Sequence, residues 1–135
     1  MKPVYQIDGA RFGTLEEFFD EVTRVLSLEP DWGHSFDAFH DVLRGAYGGP
    51  EAPGFTVRWK NARLSRQRLG HPETARQLEL RLARCQPDGK ANVARQLADA
   101  RRGSGPTVFQ RICEIIATHG RGGTEAEDRV ELVLE

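Results

Sequence analysis

Behind Thr14 the apolar positions recur with helical period: Leu15, Phe18, Phe19, Val22 and Leu26 fall at i, i+3, i+4, i+7 and i+11. That spacing lines one face of an amphipathic helix over roughly 15–27, and Thr14 with Glu17 reads as a capping box at its start. A second helix begins at Ser35, a natural N-cap, and stops at Gly45. Its Phe36, Phe39 and Leu43 share one side with Val42 beside them, while Asp37 and Asp41, four apart, stack on another. Three short runs carry strand patterning: "VYQI" (4–7), ended by the Asp8-Gly9 turn, "FTVRW" (55–59) and "RVELVL" (129–134).

From Lys60 to Arg102 the pattern is helical, with breaks at Gly70-His71-Pro72 and Pro87-Asp88-Gly89. Ala75, Leu78, Leu82 and Cys85 form one stripe there; Val93, Ala94 and Leu97 form another. Thr107 with Gln110 caps a further helix, whose apolar face is Phe109, Ile112, Cys113 and Ile116 and whose end is Gly120. Residues 47–54 and 121–128 read as loops. Strands separated by helices predict an α/β fold with a small three-stranded parallel sheet, so the helices must supply most of the core. A chain of 135 residues is expected to form one domain, 1–135.

Charge changes the picture more than composition does. The net charge is −1, but residues 1–59 carry ten acids and five bases, residues 60–105 eleven bases and four acids, and residues 106–135 six acids and three bases. The chain is dipolar, a pattern that points to charged partners. No segment has the succession of a signal peptide and no apolar run nears the length of a membrane span, so a cytoplasmic location is expected. Cys85 and Cys113 have no metal spacing and read as two small buried thiols.

Candidate chemistry concentrates in "DWGHSFDAFHDVL" (31–43). No phosphate-binding glycine motif follows a strand, and His34 and His40, six apart, cannot share a helical face as zinc ligands; no metal and no cofactor are expected. Asp37 and Asp41 with His34 or His40 could serve a small hydrolase or nuclease only if their surroundings pushed the carboxyl pKa values apart. The plainer reading is a first-turn acid favoured by the helix dipole, followed by a solvated one. The basic segment offers another alternative, an RNA-binding adaptor, although arginine-rich amphipathic helices are usually solvated faces over an apolar stripe.

The order of these elements, together with "WGHSFDAFHDVLRG" (32–45), resembles the barstar-like ribonuclease inhibitors. The "IDG" after the first strand, the "LEEFFDEV" helix, the "TVRW" strand and a terminal "VELVL" strand follow in that family's sequence, over residues 4–69 and 107–134. The resemblance implies a barstar-like fold with an inserted helical pair at about 70–106. It implies a non-catalytic protein, monomeric when free, that blocks the basic cleft of a cognate small secreted ribonuclease with helix-borne carboxylates placed as phosphate mimics. Asp41 matches the central mimic and Asp37 its companion. Asp31, Trp32, Gly33, His34, Ser35, His40 and Arg44 complete the expected partner surface. Departures from the family pattern are Asp31 and His40, each where an aromatic contact stands, and Ser35 in place of Asn.

Overall fold

The computed structural model describes residues 2–51 and 54–135; Ala52 and Pro53 of the expected 47–54 loop, and Met1, lie outside them. The chain runs β1 (Val4–Asp8), α1 (Leu15–Leu26), α2 (Phe36–Leu43), β2 (Phe55–Lys60), α3 (Ala62–Arg68), α4 (His71–Arg84), α5 (Pro87–Arg101), α6 (Val108–Thr118) and β3 (Val130–Leu134). The sheet order is β1-β2-β3 with both pairings parallel, and Tyr5, Val57 and Leu132 stand abreast. The expected three-stranded parallel sheet packed with helices is therefore the observed fold.

Side chains alternate along each strand. Tyr5, Ile7, Phe55, Val57, Trp59, Val130 and Leu132 face the helices and join Phe18, Phe39 and Ile116 in one core. Trp59 stacks on Phe18 at 5.4 Å and also meets Phe12 and Phe109, so a single indole links α1, α6 and the turn before α1. The opposite face carries Gln6, Arg58, Glu131 and Glu135, with ion pairs Arg58–Glu135 and Lys2–Glu131. Parallel sheets are generally covered on both faces; among the described residues the helices of this one pack on one face. At the end of β1, a Cβ on Gly9 would lie 2.2 Å from Ser65 Oγ and 2.6 Å from the Asn61 carbonyl. The glycine of "IDG" is thus required by the close approach of α3.

Local signals account for the helix ends. Thr14 Oγ1 accepts from the Glu17 N–H, but the Glu17 carboxylate reaches the Gly13 N–H rather than that of Thr14, so the box is shifted by one residue on its return arm. At α6 the box closes both ways between Thr107 and Gln110. The expected breaks are present, at Leu69-Gly70 and at Cys85-Gln86, and Pro72 and Pro87 open the helices that follow them. Each proline occupies the first turn, where its missing N–H would have had no helical partner. Cys85 and Cys113 are half-buried rather than buried, and partial burial pushes the Cys113 thiol up to about 11 despite the nearby Arg66.

The helices α4 and α5 pack on each other; Leu78 and Leu82 of α4 are half-buried and Val93 and Leu97 of α5 are buried. The pair is fastened at its base. Buried Glu73 accepts from the Leu15 N–H at 2.9 Å, capping α1 from outside, and Arg76 bonds both Glu73 and Glu16. Thr74 Oγ1 accepts from the Val108 N–H and so caps α6.

Candidate partner-binding surface

The loop before α2 is built from beneath. Trp32 is fully buried, with its ring edge-on to Phe19 and its Nε1–H donating to Thr23 Oγ1 at 2.7 Å. Trp32, expected at the partner surface, thus lies beneath the loop in the free chain, where the Thr23 hydroxyl gives its indole N–H a partner. Gly33 has φ +104° and a Cβ there would meet Ala38 Cβ at 3.0 Å, so the turn into α2 depends on glycine. His34 stacks on Trp32 at 4.8 Å, and its Nε2 lies 2.9 Å from the Pro30 carbonyl. Ser35 Oγ accepts from the Ala38 N–H and caps α2.

From that cap the helix presents its acids outward. Ala38, Phe39, Val42 and Leu43 are buried, while Phe36 is half-buried under the Arg111 guanidinium, 5.2 Å from the ring centre. Asp31 and Asp37 are exposed and take no ion pair or side-chain hydrogen bond among the described residues. Asp41 keeps 48% of its side chain exposed, and its Oδ1 accepts from Arg44 Nη1 at 2.8 Å. Its Oδ2 is free of hydrogen bonds among the described residues. Arg44 also grips Glu125 through two bonds of 2.7 and 2.8 Å, and these partners raise its pKa further. The Arg44 pair holds the Glu125 carboxyl below its ordinary value.

His40 turns the other way. Its Nδ1 lies 2.8 Å from Nε2 of His119, a fully buried residue at the end of α6, whose Nδ1 lies 2.7 Å from Asp128 Oδ2. A neutral His119 that donates from Nδ1 to Asp128 leaves its Nε2 bare, and His40 then donates to it from Nδ1. Burial first, then the neighbouring His119 and Arg44, hold His40 below its ordinary pKa. Glu125, His119 and Asp128 were not read as functional from the sequence. Residues 121–128 offered only polar loop composition, and no pattern joins His40 to His119 across a separation of 79 residues.

The hydrolase constellation is not assembled: neither His34 nor His40 hydrogen-bonds Asp37 or Asp41. In the basic segment Arg76, Arg101 and Arg102 pair with acids of their own surroundings and Arg66 lies over Phe109, while Arg63, Arg81, Arg84, Lys90 and Arg95 are exposed without an ion pair among the described residues. Among the described residues no helix is long and apolar enough to cross a membrane.

Comparison with known families adds one finding. The family model described as Barstar (barnase inhibitor) matches residues 2–96, running through α4 into α5 and stopping before α6 and β3. Among curated proteins, none matches the chain.

Proposed function

The chain belongs to the barstar (barnase inhibitor) family, and from that premise we propose that it is an intracellular inhibitor of a small secreted ribonuclease, with the acidic side of α2 as its plug. Members of this family are inhibitors of ribonucleases and not enzymes. The observation that carries the reading is the free acidic edge itself. Asp31 and Asp37 are exposed without partners among the described residues, and Asp41 keeps one oxygen free, directly after a loop held by Trp32 and Gly33. A ribonuclease cleft binds RNA phosphates with cationic groups, so carboxylates at that spacing can enter it as charge-assisted acceptors.

Arg44 gives the mechanism a second part. In the free chain it neutralises Asp41 from one side while Glu125 anchors it in place. On docking, a guanidinium or ammonium of the enzyme takes the free Oδ2, and Arg44 remains with Glu125. Gly33, His34, Ser35 and His40 frame that edge, and Trp32 positions it. Helices α4 and α5 are accessory in this reading, since their polar ties run to the start of α1 and to α6. The test is titration of the purified chain against a panel of small secreted ribonucleases. Activity of one enzyme should disappear at an equimolar ratio, with no RNA cleavage by the chain alone. RNA cleavage by the chain, or no inhibition across the panel, would overturn the reading.

A further inference from the structure

Beside the acidic edge, and sharing His40 and Glu125 with its surroundings, lies a cluster of metal-ligating side chains. His40 of α2, His119 at the end of α6 and Glu125 of the following loop each offer one ligand atom, and the three atoms lie within 4.8 Å of one another. We propose that these three residues bind a divalent cation of the zinc class. The proposal stands apart from the inhibitory reading.

The donor set argues for the class of ion. Two imidazoles and one carboxylate suit a borderline transition-metal dication, whereas magnesium and calcium require oxygen ligands. Orientation supports it independently. His119 is 0% exposed and its Nδ1 faces Asp128 at 2.7 Å, which turns the Nε2 lone pair into the cluster. A carboxylate behind a histidine is the usual device for fixing the tautomer and ring angle of a metal ligand. The loop that brings Glu125 and Asp128 is also held: the Glu125 N–H donates to the Thr118 carbonyl, and the Val130 N–H to that of His119.

In the metal-free chain one proton occupies the gap between the two rings, where His40 Nδ1 and His119 Nε2 are 2.8 Å apart. Zinc at about 2.0–2.1 Å from each nitrogen needs them roughly 3.3 Å apart, so the rings must part by about half an ångström. His40 is only half-buried and can make that adjustment. Its proton moves to Nε2, so the imidazole stays neutral while Nδ1 becomes a ligand. Arg44 holds both Glu125 oxygens, but each keeps a second lone pair, and water completes a four-coordinate site.

The experiment uses the full, tag-free, metal-stripped and reduced chain, titrated with zinc chloride by calorimetry and with cobalt(II) chloride as a spectroscopic probe. One ion per chain should bind, with the absorption of four-coordinate cobalt and a melting midpoint that rises with zinc concentration. His40→Ala and Glu125→Gln should each weaken zinc binding at least tenfold. Asp128→Asn should weaken it by roughly 10–100-fold while keeping the cobalt spectrum, since it acts only through His119. His119 is too deeply buried for a clean truncation, so the surface ligand His40 carries the test. Absence of saturable one-to-one binding would overturn the proposal. So would affinity unchanged in His40→Ala, or magnesium binding as tightly as zinc.

Discussion

The start of α1 and the outer side of α2 both depend on carboxylates, and the two regions use them in opposite ways. At α1, Glu73 is buried and fully engaged, accepting from the Leu15 N–H and from Arg76. Glu21, also buried, likewise takes the Asp8 N–H together with Arg11 and Arg24. At α2, Asp37 has no such partner among the described residues and Asp41 has one arginine on one oxygen. A buried carboxylate must be satisfied within the chain, because its desolvation otherwise costs more than folding can spare. An exposed one that is left unsatisfied retains its binding capacity for another molecule.

The sharpest way to break the comparison is Asp41→Ala. Truncating one member of a buried charge pair in a complex costs on the order of 2–5 kcal/mol, or about 30-fold to several-thousand-fold in the inhibition constant. The family's own type complex is among the examples behind that range, so its transfer to this chain is the matter tested. The melting midpoint should hardly move, because exposed substitutions usually stay within about half a kcal/mol. Unchanged inhibition would remove Asp41 from the mechanism.

Glu73→Ala should behave in reverse. It strands the Leu15 N–H and frees Arg76, with an expected stability loss of about 1–3 kcal/mol by denaturant titration. Inhibition by the folded fraction should be unaltered, and a matching loss of inhibition would tie α4 to the binding surface.

Asp37→Ala is next, with inhibition weakened on the order of tenfold and mostly through association. Stopped-flow rates at low and high salt should show a smaller salt effect than in the parent chain, because one steering charge is gone.

The smallest effect separates the engaged acids by pH. Hydrogen bonds from Asn61 and from the Ala10 N–H hold Asp8 below its ordinary 3.8. Partial burial pushes Glu16 up, but its own backbone N–H, Arg76 and Gln77 outweigh it and hold it below 4.5. The unfolded chain then binds more protons than the folded one just below those values. The stabilisation is fully present above about pH 5 and is lost as pH falls through the depressed values. Urea midpoints should fall between pH 5 and pH 3, less steeply in Asn61→Ala; identical slopes would contradict the Asp8 contact.

Much of this molecule follows from local rules. The stripe Leu15, Phe18, Phe19, Val22, Leu26 makes α1 amphipathic wherever it packs, and Ser35 and Thr107 cap their helices with neighbours three residues on. Gly9 and Gly33 were legible as motif glycines, and the carboxylate pair on α2 followed from a four-residue spacing alone. Short-range periodicity also placed all three strands, since alternation is a property of adjacent residues.

What required the tertiary structure involves partners distant in sequence. Nothing near Glu73 marks it as the cap of a helix 58 residues earlier, and the composition of 121–128 does not bring Asp128 behind His119. The burial of Trp32 depends on one hydroxyl of α1, and the inward turn of His40 depends on the end of α6. Such contacts are set by how amphipathic faces meet around the sheet, and the buried polar groups there must find whichever partners that packing delivers. The sequence by itself determined which faces are apolar and where helices begin; the assembled fold decided which carboxylates and histidines were left to act.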